Sequence, residues 1–280
     1  MSKNKRRKRR ANYARMTMFS DCLMYHVFHN APDVVEHMLR IILGFPLHVT
    51  SANVEYAIKF GTGTGIRMDV HAIDDAGAHY DVEIQKNEAG ATLERADYYG
   101  SAMKVYFSKR KTSKRIVPKT YVIFITATGR NCHKRAFYRY ALKGENGEET
   151  GVGTQIIFVN GLWRDNSDLG RMMHDFGCAN PKKMKDDVFA KRVAYVKSNR
   201  TVRGEMDEYE ARKYRKAKKT GYKQGIKIGE ANIASRMLQS GSFSDAQILD
   251  ATGLTPQQLD QFKRTQADAN ASHTSNQTET

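Results

Sequence analysis

Residues 66–85 have the sequence IRMDVHAIDDAGAHYDVEIQ, and this stretch decides the fold class of the chain. Apolar and polar residues alternate on both sides of a short acidic, glycine-bearing segment at 74–78, a pattern typical of two half-buried strands joined by a tight turn. The alternation predicts that the apolar face of this hairpin holds Ile66, Met68, Val70, Val82 and Ile84, and that the polar face holds Arg67, Asp69, His71, Asp81, Glu83 and Gln85.

The turn residues predict the register of the two strands. Asp74 is suited to open a type I turn and Gly77 to take the left-handed position of a three-residue loop, which pairs residue 74 with residue 78. The same register places Asp69 directly opposite Glu83, with their Cβ atoms roughly 4.5–5.5 Å apart. It also places His71 across from Asp81 and Arg67 across from Gln85. A slip of one residue would move Asp69 and Glu83 to opposite faces.

Two interpretations of the paired acids remain open from the pattern alone. Opposed carboxylates repel each other unless a cation lies between them, so Asp69 and Glu83 could form a site for Mg²⁺, with Mn²⁺ as the alternative ion. Such a metal activates water and stabilises charge on a phosphate, and Gln85 on the same face could orient either group. The alternative is that these residues are only the solvated side of a two-faced hairpin.

The flanking sequence mixes helical and strand patterns within one unit, which predicts an α/β fold. A helical period with a break at 30–33 covers 19–43, and a second helix is predicted over 93–107. A continuous apolar run at 121–126 is typical of a fully buried strand. Further strands are predicted at 54–60, 136–142 and 154–159, and further helices at 168–176, 184–197, 205–239 and after the N-cap residues Ser244 and Thr255.

The composition divides the chain into four regions. We expect a basic, disordered arm at 1–15, an α/β domain at 16–200, a helical extension at 201–265 and a polar, disordered tail at 266–280. Lys and Arg number 46 against 30 Asp and Glu, and the formal net charge is +16. A charge of this size favours polyanionic partners such as nucleic acid.

Several classes of protein are disfavoured by the sequence. No run approaches the roughly eighteen apolar residues of a membrane span, so we expect no membrane association through a transmembrane helix. The three cysteines, Cys22, Cys132 and Cys178, are far apart and lack CxxC spacing, which argues against disulfides and zinc and favours the cytoplasm. No apolar segment follows the basic start, so no secretory signal is expected.

The acidic hairpin resembles a known nuclease motif. Asp69, thirteen intervening residues and then Glu83-Ile84-Gln85 resemble the D-x(n)-E-x-Q form of the PD-(D/E)XK motif, as found in the recombination-promoting nuclease and PD-(D/E)XK nuclease family transposase group. The motif alone is weak. Its specificity comes from further segments that resemble the same group in the same order, at 20–28, 90–99, 121–126, 157–161, 172–176 and 229–256.

The resemblance implies a fold and a set of site residues. The fold would be a PD-(D/E)XK, restriction endonuclease-like core, with a central mixed sheet flanked by helices and a helical C-terminal extension. Asp69 and Glu83 would bind the metal, with the backbone carbonyl of Ile84 as a third ligand. Gln85 would stand where the broader superfamily has lysine. The resemblance further implies a catalytic helix acid at Asp21 and phosphate contacts from Arg95 and Tyr99.

The resulting hypothesis is a cytoplasmic, Mg²⁺-dependent DNA endonuclease of the recombination-promoting nuclease or transposase type. Its basic arm, including Lys5, Arg6 and Arg7, would contact DNA without sequence preference. The rival hypothesis is a catalytically silent module that keeps the fold and binds nucleic acid or a protein partner, and the charge fits RNA as well as DNA. The second of the two capped C-terminal helices lacks a basic face, which favours packing or homo-oligomer formation over groove recognition.

Overall fold

The structure is a computed structural model, and it describes residues 12–264 apart from residues 62, 112–113, 129–133 and 149. The chain divides after Tyr209 into two compact units, 1–209 and 210–280. Residues 12–15 form a helical turn in which Tyr13 is buried. Among the described residues, no helix combines the length and apolar character needed to cross a membrane.

The first unit contains helices and strands in mixed order. Its helices are α1 (Asp21–Phe28), α2 (Pro32–Leu43), α3 (Leu93–Phe107), α4 (Asp168–Gly177) and α5 (Asp187–Ser198). Its strands are β1 (Val49–Phe60), β2 (Thr64–Asp74), β3 (His79–Gln85), β4 (Lys109–Lys111), β5 (Lys114–Ile116), β6 (Thr120–Thr126), β7 (Phe137–Tyr140) and β8 (Thr154–Asn160). Helix α6 (Arg200–Ser240) begins in this unit and continues into the second.

Six of the strands form one mixed sheet in the order β1-β2-β3-β6-β8-β7. Strands β3, β6 and β8 are parallel, and the pairs β1–β2, β2–β3 and β7–β8 are antiparallel. The parallel centre is buried on both faces, as its continuous apolar sequence predicts: every residue of β6 is buried. The predicted α/β class, with a central mixed sheet flanked by helices, is confirmed.

The two faces of the sheet pack against different helices. On one face, Val82 and Ile123 join a large apolar cluster with Leu39 of α2, Phe176 of α4 and Phe189 of α5. The opposite face forms a smaller cluster with α3, built from residues that include Ala96, Met103, Val122, Phe124 and Phe158. Burying each large apolar side chain contributes about 1.5–3 kcal/mol, so these two layers fix the sheet between the helices.

The predicted turn and register of the β2–β3 hairpin are confirmed where the two strands pair. The Asp74 N–H donates to the Ala78 carbonyl at 3.2 Å, and Gly77 has a left-handed φ of 76°. The ladder pairs His71 with Asp81 and ends at Val70 and Val82. Asp69 and Glu83 therefore lie one step beyond the last paired residues.

The predicted facing of β2 is wrong in its first half. Ile66 and Met68 pack in the cluster on the α3 side, whereas Val70 packs in the cluster on the opposite face. The reversal falls at Asp69, and the neighbouring strand changes at the same place: Glu55, between the pairs Val54–Val70 and Tyr56–Met68, has a left-handed φ of 52°. A left-handed residue interrupts the regular pleat, so a simple period of two cannot continue through it.

This reversal also changes the neighbour of one predicted polar residue. Arg67 pairs with Ala57 of β1 and is exposed, and the ladder between β2 and β3 ends before it reaches the level of Gln85. The predicted placement of Arg67 across from Gln85 is therefore wrong. Along this part of its length, β2 is paired only with β1, and β3 is paired with β6.

The second unit is a small helical assembly. It contains the later part of α6, α7 (Asp245–Thr252) and α8 at 256–264, with Ala234, Ile248 and Leu259 fully or almost fully buried in its core. The predicted caps are present. Ser244 and Gln247 form a reciprocal capping box, and the Thr255 N–H donates to Gln258 Oε1 at 2.8 Å.

Candidate active site

The candidate site is the fork at which β2 and β3 separate. The Asp69 N–H donates to Glu83 Oε1 at 3.1 Å, and the Ile84 N–H donates to Asp69 Oδ2 at 3.1 Å. Each carboxylate thus accepts a hydrogen bond from the backbone of the other strand. These bonds replace the ladder bonds that would otherwise continue here, and they hold the two acids side by side.

Glu83 is the buried centre of this fork, with 1% of its surface exposed. Its second oxygen, Oε2, accepts hydrogen bonds from Gln85 Nε2 at 3.2 Å and from the Arg95 guanidinium at 2.5 Å. Burial, and then the charge of Asp69, raise the pKa of Glu83 to about 7, against the opposing effect of Arg95. The fork therefore favours either a proton or a cation beside Glu83 near neutral pH.

Asp69 is half-buried, and its charge is also disfavoured. Burial raises the pKa of Asp69, the hydrogen bond from Ile84 lowers it, and the negative charge of Asp21 raises it again. Asp21 is exposed at the start of α1. The structure thus brings Asp21 within electrostatic reach of Asp69.

Arg95 supplies the positive charge at the fork from the first turns of α3. Besides its ion pair with Glu83, its guanidinium donates to the Gly90 carbonyl and to the Tyr99 hydroxyl, both at 3.0 Å. It also lies over the rings of Tyr99 and Phe124, at 4.8 and 5.6 Å from their centroids. A Cβ at Gly90 would lie 2.5 Å from Arg95 Nη1, so glycine is needed there for this arrangement.

Asp81 is a third acid that the sequence analysis did not select. It is fully buried on the same face of β3 as Glu83, and no described residue donates a hydrogen bond to either of its oxygens. Burial, followed by the charges of Glu83 and Asp69, raises the pKa of Asp81 well above its ordinary value. The i, i+2 spacing of Asp81 and Glu83 was visible in the sequence, but the full burial of that strand face was not.

Two histidines continue this polar line away from the fork. His71 Nε2 and His79 Nδ1 are 3.0 Å apart, and both rings stack against Phe107 at the end of α3. Burial lowers the pKa of His71 to about 3 and the pKa of His79 to about 4. Both rings are therefore neutral at pH 7, and they pack against the C-terminal end of α3.

Glu55 is a further residue that the sequence did not indicate. Its left-handed backbone lies beside Asp69 in the β1–β2 register, and its Oε1 accepts a hydrogen bond from the Tyr209 hydroxyl at 2.8 Å. A non-glycine residue in this conformation costs on the order of 1 kcal/mol. No local sequence signal distinguishes Glu55 from other strand residues, because its conformation arises where two strands bend together.

The structure brings most of the selected residues together. Asp69, Glu83, Ile84, Gln85, Arg95 and Tyr99 meet at the fork, Asp21 acts on it electrostatically, and Lys5, Arg6 and Arg7 lie outside the described residues. In the described part of the chain, no group of three or more His, Cys, Asp or Glu side chains is arranged to hold a metal ion. Any metal here would thus have two carboxylate ligands and would complete its shell with backbone oxygen, water or substrate.

A mixed sheet with helices on both faces, and paired acids where an antiparallel hairpin opens beside a parallel strand, defines the class of PD-(D/E)XK nuclease-like domains. Residues 41–160 match the family described as PD-(D/E)XK nuclease family transposase. The match contains the fork, α3 and the parallel strands, while Asp21 lies outside it. No curated protein and no solved structure matches the chain.

Proposed function

We propose that this protein is a Mg²⁺-dependent endonuclease that hydrolyses phosphodiester bonds in DNA, with the fork as its active site. The observation that carries the proposal is the pairing of Asp69 and Glu83, each held by the other strand's backbone and each with a raised pKa. The family match supports a nuclease as the class of enzyme. Recombination or the movement of a genetic element is the role that the family's description favours.

The residues at the fork fit a small divalent cation. Mg²⁺ is usually bound by one or two carboxylates together with water and substrate phosphate, and Mn²⁺ accepts the same oxygen ligands. The Ile84 N–H points toward β2, and the carbonyl of a strand residue points to the same edge as its N–H. Asp69, Glu83 and the Ile84 carbonyl would therefore hold the ion. When bound, it would supply an activated water and neutralise charge on the phosphate.

The chain's own residues have separate tasks in this proposal. Gln85 is neutral, so it orients a water or a phosphate oxygen by hydrogen bonding and adds no charge. Arg95 pairs with Glu83 in the absence of a metal cation. Once a cation binds Glu83, the Arg95 guanidinium is free to bind a phosphate oxygen. Tyr99 keeps Arg95 on the α3 side of the fork, and Asp21 adds negative charge from α1.

Binding to DNA would rest on charge rather than on sequence recognition. The formal net charge of +16 attracts the phosphate backbone, and Lys5, Arg6 and Arg7 add a cluster of cations near the N-terminus. The cysteine pattern, three residues far apart in the chain and without CxxC spacing, supports a reducing compartment such as the cytoplasm.

A catalytically silent binding module is the second candidate, and one observation favours it. The ion pair between Arg95 and Glu83 already gives the buried carboxylate a cationic partner without any metal. In this alternative the fold and basic surface are retained for binding, and Asp69 and Glu83 serve only to order the two strands.

Thermal unfolding in Mg²⁺ or Ca²⁺ tests the metal site. The proposal predicts that either ion raises the Tm of the wild type, and that Asp69→Asn and Glu83→Gln abolish this increase. Asp175→Asn is the matched control, because Asp175 is a fully buried acid outside the fork that accepts hydrogen bonds from Lys185 and Asp186. It should lower the Tm but keep the response to metal. A wild type that gains no stability supports the silent module.

We also propose that the protein forms a homo-oligomer through its C-terminal helices. Tyr222, Ile226 and Ile233 are exposed at spacings of four and seven residues on α6, which places them along one side of the helix. A second copy of the chain would cover this stripe. Light scattering should give a dimer or larger assembly for the wild type and a monomer for Ile226→Lys, and a monomeric wild type would contradict the proposal.

A further inference from the structure

The small hairpin β4–β5 and the residues that follow it concentrate positive charge. Between Asp97 and Glu145 the sequence has twelve Lys or Arg and no Asp or Glu, and six of those cations lie within 109–119. We call the described residues of this stretch, 109–111 and 114–119, the basic hairpin. The sequence pattern does not predict these two strands, because each is only three residues long and carries no apolar alternation.

The strands of the basic hairpin pair cations with cations. Arg110 lies opposite Arg115. Like charges directly opposed across two strands are destabilising, and a two-stranded hairpin is marginal even without them. The arrangement therefore weakens the hairpin by itself, and it would be relieved by a polyanion that binds both strands.

The charged groups of the basic hairpin are open to such a partner. Lys109, Arg110, Arg115 and Lys119 are all exposed, and within the described residues none of these four forms an ion pair with an acid. The base of the hairpin is anchored, because the His79 N–H donates to the Lys119 carbonyl at 2.8 Å. The surface is thus fixed to the sheet at one end and carries no internal neutralisation.

The residue that anchors the basic hairpin, His79, lies on the same strand as Glu83 of the fork. His79 begins β3, and Glu83 is four residues further along the same face, which corresponds to about 13 Å at roughly 3.3 Å per residue. Helix α3 joins the two places, since it begins next to Arg95 at the fork and ends at Phe107 beside His79. About 13 Å between His79, which anchors the basic hairpin, and Glu83 is close to the width of the major groove of DNA, so a duplex lying along this part of the surface would reach both.

We propose that the basic hairpin binds the sugar–phosphate backbone of the nucleic acid duplex whose cleavage takes place at the fork. The inference rests on the proposed nuclease function, and it assigns substrate positioning to a part of the chain outside the acidic motif. Two-stranded ribbons of this size are used by several proteins to contact duplex DNA. The cations act on phosphates, so we expect affinity without sequence preference.

The test is fluorescence anisotropy with the full-length protein in EDTA, using a labelled 30-base-pair DNA duplex and salt from about 0.05 to 0.3 M. The test variant is Arg110→Gln/Arg115→Gln, which removes one directly opposed pair. The control is Lys182→Gln/Lys183→Gln, which removes the same charge from two exposed lysines elsewhere in the first unit. Thermal unfolding should show the test variant to be as stable as the wild type or more so, because a repulsive pair is gone.

The inference predicts that the test variant binds the duplex at least ~10-fold more weakly at 0.1 M salt. Two lost phosphate contacts should also make the slope of log affinity against log salt less steep by about 1.8. The control should change both values much less. Equal effects of the two variants would overturn the inference. Polyglutamate serves as a second probe that stands for an acidic protein. If the test variant loses binding to polyglutamate but keeps binding to the duplex, the inference is overturned in favour of an acidic protein partner.

The same measurements separate this inference from the proposed function. If the wild type binds duplex through the hairpin but does not nick DNA with any metal, the nuclease proposal fails and the hairpin assignment stands. If the wild type nicks DNA and the test variant binds and nicks equally well, the hairpin assignment fails alone. If the test variant loses binding only to an RNA duplex of the same length, the assignment of nucleic acid binding to the hairpin is supported and DNA as the substrate is contradicted.

Discussion

Asp81 and Glu83 lie two residues apart on one face of β3, yet Glu83 accepts three hydrogen bonds and no described residue donates one to Asp81. The two acids therefore divide their roles by environment. Glu83 has donors and a cation to stabilise its charge, whereas Asp81 has neither and keeps its proton to a much higher pH. A protonated Asp81 prevents a third negative charge from accumulating behind the fork.

The first prediction concerns Asp81 and pH. Because the pKa of Asp81 is raised in the folded state, its contribution to stability is fully present below its unfolded pKa of about 4 and is lost as pH rises above it. Asp81→Asn removes this loss. In urea unfolding with EDTA, the variant should become progressively more stable relative to the wild type as the pH rises above that unfolded pKa. Parallel stability curves for the two proteins would contradict the assignment.

His71 should give a pH dependence of the opposite sign. Its pKa is lowered to about 3, so its contribution is present above the unfolded pKa of about 6.5 and is lost as pH falls through this range. Phenylalanine keeps the stack on Phe107 and cannot titrate. Between pH 8 and 5, the wild type should lose about 2 kcal/mol more than His71→Phe in the same urea assay. An equal loss in both proteins would show that His71 is not buried as a neutral ring.

Arg95 should separate metal affinity from activity. Arg95→Met removes the cation that competes for Glu83 Oε2, so calorimetric titration should show Mn²⁺ binding at least as tight as in the wild type. The nicking rate should nevertheless fall by roughly 10- to 100-fold, because a charge-assisted bond to phosphate is lost. Lys182→Met, which removes an exposed cation elsewhere in the first unit, should change both values little. Weaker Mn²⁺ binding in Arg95→Met would contradict the competition.

Glu55 provides a test of the backbone at the fork. Glu55→Gly and Glu55→Ala both lose the hydrogen bond from Tyr209, so their difference isolates the left-handed φ of 52°. Glycine adopts this conformation without the steric cost that alanine has. The glycine variant should be more stable than the alanine variant by about 1 kcal/mol in urea unfolding. An alanine variant of equal or greater stability would contradict the bend at this position.

The sequence was sufficient to predict the local geometry of the central hairpin. Asp74 and Gly77 specify the turn, and the turn fixes which residues pair, so His71 was correctly placed opposite Asp81. The resemblance supplied the class of fold around the hairpin, a central mixed sheet flanked by helices, and residues 41–160 match the same family. Turn chemistry and element order are both local properties of a sequence.

The missing parts of the site depend on contacts between distant segments. The change of facing at Asp69 arises where β1 and β2 bend together at Glu55, and the burial of Asp81 requires α3 to cover that face of β3. An alternation with a period of two assumes a regular strand with one solvent-exposed face. It therefore predicts neither the change of facing at Asp69 nor the burial of Asp81. The basic hairpin could have been recognised in part, because the stretch without acids between Asp97 and Glu145 is visible in the sequence. Only the pairing of its two short strands required the structure.

Nicking of supercoiled plasmid by the purified full-length protein tests the central claim most directly. The comparison is between the wild type, Asp69→Ala, Glu83→Ala and Asp175→Asn, each in Mg²⁺, Mn²⁺ or EDTA. We predict metal-dependent nicking by the wild type and by the Asp175 variant, and none by the two fork variants. Nicking that persists in EDTA or in both fork variants, or a wild type that binds DNA but does not cut it with either metal, would contradict the account.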